Sequence, residues 1–400
     1  MLYCKECVLP NTKPDLFFNK EGVCNACTNF ANRTEIDWEV RKTQFLQIIE
    51  KNRARNYSNW DCIVPVSGGK DSTYQVWRLL QLGVNPLAVV ASTCHLADVG
   101  RKNIENIKKL GVDLIEFSAN PSVRKILNRI ALREVGDVSW PEHVSIFTAP
   151  IRVAVNFKIP LIIWGENSQH EYGGPETAIK SNILDRRWLE EFGGLLGLRT
   201  SDLTMYPGIT KKDLLYYTYP SVEEVESIGI TGLFLGYYFP WDGYTNVLIS
   251  QAVGWHSFEH RIEGSLVNYE KMDNYQTGIH DYFKFLKFGF GRASDLASSH
   301  IRRKRLTRSD AIPLVRACDG ELPLSYLGKP LEEILSHIDM SIQEFWQICD
   351  NHTNKKLFEV DSAGQLKKDS KGNLIKKFVL TDQPIMSSGN RGNVHAVSNC

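Results

Sequence analysis

Apolar residues in the middle of the chain fall into short runs typical of strands, separated by longer segments with helical spacing. The strand-like runs lie at residues 62–66, 86–91, 112–117 and 160–164, with a fifth candidate at residues 230–235. The helical segments lie at residues 71–82, 100–110, 121–135 and 144–157, where Pro150 either kinks the last one or marks its true start. This alternation predicts an α/β fold with a parallel five-stranded sheet and helices on both faces. The run at residues 160–164 is almost wholly apolar, so we expect it to lie centrally.

Two Cys-x-x-Cys pairs stand out near the N-terminus, Cys4 with Cys7 and Cys24 with Cys27. The segment between them is rich in loop-forming residues and too poor in apolar ones to hold itself without a metal. Four thiolates close a tetrahedral shell and leave no open position, which predicts structural zinc. A redox dithiol and an iron–sulfur cluster are the alternatives. The remaining cysteines are scattered, and we interpret them as packing or surface residues.

The first strand-like run leads directly into Ser67-Gly68-Gly69-Lys70-Asp71-Ser72, which opens a helical segment. Glycines let backbone N–H groups converge, and a helix N-terminus favours negative charge, so this stretch predicts an anion-binding pocket. It matches neither the Walker A pattern nor the dinucleotide fingerprint. The alternative is a plain glycine turn between a strand and a helix.

Composition is ordinary for a globular protein, with 42% hydrophobic and 23% charged residues in 400. The formal net charge of +1 argues against an extended polyanion as the main partner. We find no apolar run long enough for a bilayer and no signal peptide, so we expect a cytoplasmic protein without membrane partners. The predicted organisation is a zinc knuckle (1–36), a linker helix (37–60), an α/β domain (61–240), a helical substrate or partner region (241–355) and a flexible or hairpin tail (356–400).

Ligands of an open parallel sheet bind beyond the carboxyl ends of its strands, and three loops meet that rule. They are the glycine turn, the loop at residues 92–95 that begins with Ser92, and the loop at residues 165–174. The third loop holds Glu166, a candidate Mg²⁺ ligand, and His170 and Glu171, which are candidates for substrate contact or proton transfer. A polar surface loop is the alternative for each of these residues.

The C-terminal half offers cations that suit an anionic substrate. An aromatic helix near residue 285 carries Lys284 and Lys287, and a lysine there could offset charge in a phosphoryl-transfer transition state; we favour Lys287. Arg292 and Arg302 belong to the densest basic run of the chain, and arginines suit planar oxyanions. A solvated helix face and nucleic-acid binding are the alternatives.

Ser-Gly-Gly-x-Asp-Ser at residues 67–72 resembles the PP-loop of the ATP pyrophosphatases, an adenine nucleotide alpha hydrolase-like fold. The resemblance implies that this loop holds the β,γ-diphosphate of ATP and that AMP is transferred to a substrate oxygen. The ATP-binding residues that it implies, together with the loops beside it, are Ser67, Gly68, Gly69, Lys70, Asp71, Ser72, Ser92, Gly165 and Glu166.

The run Trp-Gly-Glu-Asn-Ser-x-x-Glu-Tyr-Gly-Gly at residues 164–174, the cysteine pairs and the segment at residues 284–308 look like the N-acetyl sugar amidotransferases of bacterial surface-polysaccharide (lipopolysaccharide, O-antigen) pathways. That family implies conversion of an acetamido group on a nucleotide-activated sugar to an acetamidino group, through an adenylylated imidate attacked by ammonia. The ammonia is implied to come from a separate glutaminase and a barrel subunit resembling the two halves of imidazole glycerol phosphate synthase. Taking the residues and the resemblance together, we predict Asp71, Lys287 and Glu171 as catalytic residues and Asn167, His170, Tyr172, Arg292 and Arg302 as substrate-binding residues.

Two other functions stay open at this point. A tRNA-modifying PP-loop enzyme of the thiolation type would need reactive cysteines near the nucleotide, for which Cys62 and Cys94 are candidates by position. Its RNA partner fits poorly with the near-neutral net charge. A non-catalytic scaffold that binds a nucleotide is the third possibility, although an intact Asp71 and Glu166 argue against a dead site.

Overall fold

The computed structural model describes residues 1–32, 36–54, 58–166, 183–184 and 197–382. Its main sheet has six strands, of which five are parallel in the order β3-β2-β1-β4-β6, while β5 pairs antiparallel to β6 at one edge. The strands are β1 (Cys62–Val66), β2 (Pro86–Ala91), β3 (Asp113–Phe117), β4 (Leu161–Trp164), β5 (Ile183–Leu184) and β6 (Thr231–Phe234). The predicted α/β class and the parallel five-stranded sheet are confirmed.

Side chains of β1 alternate between the two faces of the sheet, as the period of two demands. Val64 and Val66 pack in one apolar cluster with Val76 and Ile104, which lie on helices that follow β1 and β2. Ile63 packs in a second cluster on the opposite face with Ile151. Ile63 is in register with Ile162 of β4, whose four residues are all buried, so β1 and β4 form the buried centre that the apolar run predicted.

Helices cover both faces of the sheet and are the main regular elements of the described chain beyond it. Those before β6 are α1 (Asn25–Ala31), α2 (Trp38–Arg53), α3 (Lys70–Gln81), α4 (Asp98–Lys109), α5 (Pro121–Val135), α6 (Trp140–Phe157) and α7 (Val222–Ile228). Those after it are α8 (Leu235–Tyr238), α9 (Gly243–Ala252), α10 (Thr277–Phe288), α11 (Arg292–Arg302), α12 (Arg308–Cys318), α13 (Leu331–Ser336) and α14 (Ile342–His352). Two 3₁₀ turns (Thr200–Met205 and Leu215–Tyr217) and a short hairpin of β7 (Ser325–Tyr326) with β8 (Lys329–Pro330) complete the described elements. Among the described helices, none is both long and apolar enough to cross a membrane.

Pro150 does not mark the start of α6, which corrects one of the two sequence expectations for that proline. The helix begins at Trp140, and Pro141 occupies its first turn, where a missing N–H costs nothing. Pro150 lies inside the helix and is itself buried. Because α6 begins at Trp140 rather than at Pro150, its N-terminal part includes His143, which lies beside the cavity described below.

The C-terminal region has its own apolar core and also closes over the sheet. Phe283 and Leu286 of α10 are fully buried and pack with Phe345 of α14, whose ring centroid lies 6.1 Å from that of Phe283. Before α10, the Asp273 carbonyl accepts a hydrogen bond of 2.9 Å from the Ala97 N–H at the start of α4. The region that follows the sheet therefore meets the loop at the carboxyl end of β2 directly.

The four N-terminal cysteines converge as the spacing predicts. Their Sγ atoms lie within 4.8 Å of one another and all four side chains are buried. The backbone N–H groups of Cys7 and Cys24 donate to the Cys4 Sγ at 3.4 and 3.3 Å, an arrangement that stabilises a thiolate. Four buried sulfurs in one cluster fit the tetrahedral donor set of zinc, which would hold this segment together.

We expect Cys24→Ser to lose bound zinc and to destabilise the N-terminal segment by several kcal/mol, because metal binding supplies the folding energy of such segments. Elemental analysis of the purified variant and its thermal melting measure both effects. Cys349→Ser is the matched control, since Cys349 is also buried but lies in α14, away from the cluster. A Cys24→Ser protein without metal and with unchanged melting would contradict the structural role.

Candidate active site

A cavity of about 770 Å³ lies at the carboxyl ends of the parallel strands, where β1, β2, β4 and β6 end. The turn after β1 forms one wall and the segment from Tyr269 to Asp295 forms the facing wall. Its polar and charged lining residues are Lys13, Ser67, Lys70, Asp71, Ser72, Gln75, Ser92, Thr93, Arg101, Glu116, Ser139, Glu142, His143, Glu166, Glu270, Lys271, Asp273, Asn274, Thr277, His280, Lys284, Arg292 and Asp295. Two separate parts of the chain thus enclose one polar chamber.

The turn after β1 is tight, and its own hydroxyls hold it. Gly68 has φ +87, and a Cβ there would lie 2.8 Å from the Gly100 carbonyl oxygen, so only glycine fits. The Ser72 hydroxyl accepts from the Ser67 N–H at 3.4 Å and donates to the Gly69 carbonyl at 3.0 Å. Gly69 is the N-cap of α3, so the positive end of that helix faces the cavity. A helix N-terminus that faces a polar cavity suits an anionic ligand, so anion binding at this turn stays a prediction.

Residues beyond β6 brace this turn from behind. The Trp255 indole N–H donates to the Gly68 carbonyl at 3.0 Å, and the Ser250 hydroxyl donates to the Lys70 carbonyl at 2.8 Å. The Asn246 amide donates to Asp71 Oδ1 at 2.8 Å. Sequence reasoning missed all three bracing residues, because nothing in their local pattern marks a contact so distant along the chain.

Lys70 and Asp71 belong to a charged cluster with Glu270. Lys70 Nζ lies 2.6 Å from both Asp71 Oδ2 and Glu270 Oε1, and the Lys70 side chain is 6% exposed. Burial favours a raised pKa for Glu270, but the adjacent Lys70 ammonium outweighs it and lowers the pKa. Glu270 is therefore a permanent anion that orients Lys70 at the mouth of the turn.

The facing wall carries further ion pairs. Lys284 Nζ pairs with Asp295, and Arg292 lies 3.4 Å from Asp281 and 4.0 Å from Asp295. Burial opposes ionisation of Asp295, yet Lys284 and Arg292 together lower its pKa. Burial and nearby Arg292 lower the pKa of Lys271 as well, which disfavours the charged form of this lysine. This wall can present several cationic groups to an anionic ligand.

Lys284 and Lys287 lie in places that reverse the ranking predicted from sequence. Lys284 lines the cavity, whereas Lys287 is outside its lining and donates to the Val135 carbonyl at 3.2 Å. Burial lowers the pKa of Lys287, although this lysine does not line the cavity. The core residues Phe283 and Leu286 set the rotation of α10, and that rotation turns Lys284 toward the chamber.

The two arginines predicted to bind substrate lie in different places relative to the cavity. Arg292 lines the cavity, whereas Arg302, at the other end of α11, is buried outside its lining. Gly165 and Glu166 line the cavity, and a Cβ on Gly165 would lie 3.1 Å from the Trp241 ring. The predicted residues Asn167, His170, Glu171 and Tyr172 lie outside the described residues.

The loop after β2 is anchored beneath the cavity. The Ser92 hydroxyl, which lines the cavity, donates to Glu116 Oε1 at 2.9 Å. Arg124 donates to the Ser92 carbonyl and is paired with buried Glu142 at 3.4 Å. The Cys94 N–H donates to the same Glu142 at 3.1 Å. These contacts hold the loop in place at the cavity.

A second unanticipated group joins two elements at the cavity. His143 of α6 and His280 of α10 both line it, and both contact Asp137, whose side chain is 2% exposed. No sequence motif links these residues, because His280 lies far along the chain from the other two. The only available signal was the Asp and His flanking the start of one helix.

We expect Gly68→Ala to weaken binding at the predicted ATP site at least about tenfold, because the methyl group would displace the Gly100 backbone. Calorimetric titration with ATP measures the change. Gly83→Ala is the matched control: Gly83 has φ +69 but open space around a Cβ, so it bears only the backbone strain of about 1 kcal/mol. Equal ATP affinity in the two variants would show that the turn does not approach the nucleotide.

Comparison with known proteins finds a family match for the region that includes the facing wall of the cavity. Residues 263–371 match the family model described as "LPS biosynthesis protein WbpG-like, C-terminal domain". A search of curated proteins finds no match.

Among solved structures, NMN synthetase from Francisella tularensis matches with 13% identity and a TM-score of 0.28, covering 48% of this chain and 92% of that one. A "predicted subunit of tRNA methyltransferase" from Methanocaldococcus jannaschii has 12% identity and a TM-score of 0.28, with 60% and 91% coverage. NH3-dependent NAD synthetase from Campylobacter jejuni has 12% identity and a TM-score of 0.28, with 56% and 100% coverage. The family model agrees with the resemblance to surface-polysaccharide enzymes seen in the sequence: residues 263–371, which include the whole facing wall, are similar to the C-terminal domain of WbpG-like LPS biosynthesis proteins.

Proposed function

We propose that the protein is an ATP-dependent amidotransferase that converts the acetamido group of a nucleotide-activated sugar into an acetamidino group. One observation carries the proposal: the region similar to an LPS biosynthesis family closes the same cavity that the Ser-Gly-Gly-x-Asp-Ser turn opens. A phosphate-binding turn alone would suit many ATP-using enzymes. Here the opposite wall of the cavity is formed by the region similar to an LPS biosynthesis family, which favours a sugar of surface-polysaccharide synthesis as the substrate.

The turn and the start of α3 would bind the β- and γ-phosphates of ATP through backbone N–H groups and the hydroxyls of Ser67 and Ser72. Lys70, held by Asp71 and Glu270, adds a fixed positive charge. Asp71 and Glu166 are carboxylates that line the cavity, and they fit the oxygen-donor preference of Mg²⁺. Bound there, Mg²⁺ would offset charge on the departing pyrophosphate.

The reaction has two halves. The amide oxygen attacks the α-phosphorus, a P–O bond forms, and pyrophosphate leaves with the electrons of the broken α–β bond. Ammonia then attacks the imidate carbon, and AMP leaves with the electrons of the C–O bond. Lys284 and Arg292 line the cavity and would offset the charge that develops on the α-phosphate.

We infer that the ammonia comes from a separate glutaminase acting with a barrel subunit. The cysteines beside the sheet support this view, because neither is poised as a nucleophile. Burial and nearby Glu142 raise the pKa of the Cys94 thiol to about 12, and Cys62 is fully buried in β1. The same facts disfavour the tRNA-thiolating alternative, which needs a reactive thiol near the nucleotide.

We expect the purified protein to release AMP and pyrophosphate only when ATP, ammonia and an acetamido nucleotide sugar are all present. A panel of UDP- and CMP-linked sugars, followed by mass spectrometry of the sugar product, identifies the substrate. Asp71→Ala should abolish turnover without unfolding, since Asp71 is partly exposed to the cavity. Release that depends on tRNA, or ADP as the only nucleotide product, would refute the proposal.

We expect Lys284→Gln to lower kcat about 100-fold or more, because it removes a charge that acts on the transition state. Lys287→Gln, three positions later on the same helix, should keep kcat and lose only stability, through its lost contact with the Val135 carbonyl. Steady-state kinetics and thermal melting of the two variants separate these effects. A larger loss of kcat in Lys287→Gln would restore the ranking inferred from sequence.

A further inference from the structure

A buried carboxylate holds two imidazole rings at the edge of the cavity, and no step above uses them. Asp137 Oδ1 lies 2.8 Å from Nδ1 of His280, and its Oδ2 lies 3.1 Å from Nδ1 of His143. The ring centroids of the two histidines are 5.1 Å apart. Both rings line the cavity, whereas the carboxylate between them does not.

The hydrogen bonds fix the state of His280. A carboxylate can only accept, so His280 Nδ1 is the protonated nitrogen and Nε2 of the neutral ring carries the lone pair. The Ser139 N–H donates to the same Asp137 oxygen at 2.9 Å, which holds the carboxylate in place. Burial lowers the pKa of His280 although Asp137 opposes it, so the ring is neutral near pH 7.

The carboxylate stays ionised in its buried position. Burial alone would raise the pKa of Asp137, but His280 and His143 outweigh it and bring the pKa well below its usual range. A permanent anion on Nδ1–H raises the basicity of Nε2 and stabilises the imidazolium that forms when Nε2 takes a proton. The arrangement therefore has the parts of a general base: an oriented neutral imidazole, a fixed anion behind it, and access to the chamber.

Resting on the function proposed above, we propose that His280 is the general base that accepts the amide N–H proton of the acetamido group, with Asp137 as its positioning residue. As the amide oxygen bonds to the α-phosphorus and pyrophosphate leaves, the amide nitrogen loses its proton to His280 Nε2. The N–H electron pair becomes the C=N bond of the neutral O-adenylyl imidate, and the C=O π electrons form the new O–P bond.

The proton then has a use in the second half of the reaction. Ammonia adds to the imidate carbon, and the His280 imidazolium returns its proton to the imidate nitrogen. The ammonium nitrogen formed by this addition gives one proton to the phosphate of AMP, and AMP leaves with the electrons of the C–O bond, so the product is the amidinium. One histidine thus completes a cycle in which it ends neutral, and no external acid or base is consumed at the sugar.

A divalent metal held by the same three side chains is the competing explanation, since their ligand atoms lie within 4.8 Å of one another. Two observations favour the proton acceptor. Asp137 Oδ1 already accepts two N–H donors, from His280 and from Ser139. The His280 contact also has hydrogen-bond geometry, which a ring nitrogen that ligated a metal through Nδ1 would not keep.

The test is sugar-dependent exchange of labelled pyrophosphate into ATP, measured without ammonia, which isolates the first half of the reaction. His280→Asn keeps an N–H that can donate to Asp137 but lacks Nε2, so it should fold and bind ATP normally. We expect its exchange rate to fall about 100-fold to 10,000-fold, the range of a lost general base. Added imidazole should restore part of the exchange in His280→Ala, which a purely structural role would not allow.

His352→Gln is the matched control. His352 contacts the Phe283 ring on α10 and the Arg133 carbonyl but does not line the cavity, so its loss should leave exchange unchanged. The assignment would be overturned if His280→Asn exchanged pyrophosphate at the wild-type rate, or if imidazole did not restore exchange in His280→Ala. It would also be overturned if the protein bound one zinc or manganese ion tightly and Asp137→Asn abolished that binding. An inactive wild-type protein would instead count against the proposed function.

Discussion

Closure of the C-terminal region over the turn after β1 is the constraint on which the site depends. The Gly68 and Lys70 carbonyls point away from the cavity, and each is satisfied by a side chain from residues 250–255. A buried carbonyl without a partner would cost about 1–3 kcal/mol, so these contacts fix which way the turn faces. The Ser67 and Gly69 N–H groups donate to hydroxyls of the turn itself, so what the turn offers an anion is the helix N-terminus that begins after Gly69. The turn owes its shape to local glycines and its direction to a distant part of the chain.

The same closure explains how so many charges can be buried together. Three cations that line the cavity each have an anion within reach: Lys70 with Glu270, Lys284 with Asp295 and Arg292 with Asp281. Burying any one of them alone would be costly, whereas pairs and chains of pairs recover most of the lost hydration. A phosphate-bearing ligand can enter such a network by sharing its cations. The chamber is thus prepared for an anion without carrying an excess of positive charge.

The sequence predicted those features of the fold and the site that are determined by residues close together along the chain. The β-branched run before Ser67, the two glycines after it and the spacing of the cysteine pairs each act over a few residues, so their pattern can be read directly. Glu270 lies in an irregular segment without periodicity, and its pairing with Lys70 depends on tertiary closure. The position of Lys284 and Lys287 could not be predicted for a related reason: the sequence shows which face of α10 is apolar but not which of the two lysines lines the cavity. Asp137 and His280 meet only because α10 docks against the start of α6.

The N-terminal segment takes part in this closure, although its four clustered cysteines lie outside the cavity. Lys13, between the two pairs, lines the chamber, where its nearest charges include Asp295 and Lys284. The segment is tied down by Arg308, which donates to the Cys4 and Cys7 carbonyls at 3.3 and 3.1 Å, and by Thr12, which donates to the Phe288 carbonyl at 2.5 Å. The N-terminal segment therefore positions a cation at the site from a third part of the chain. Because Lys13 lies between the two cysteine pairs, a metal that ordered this segment would also help to hold that cation at the chamber.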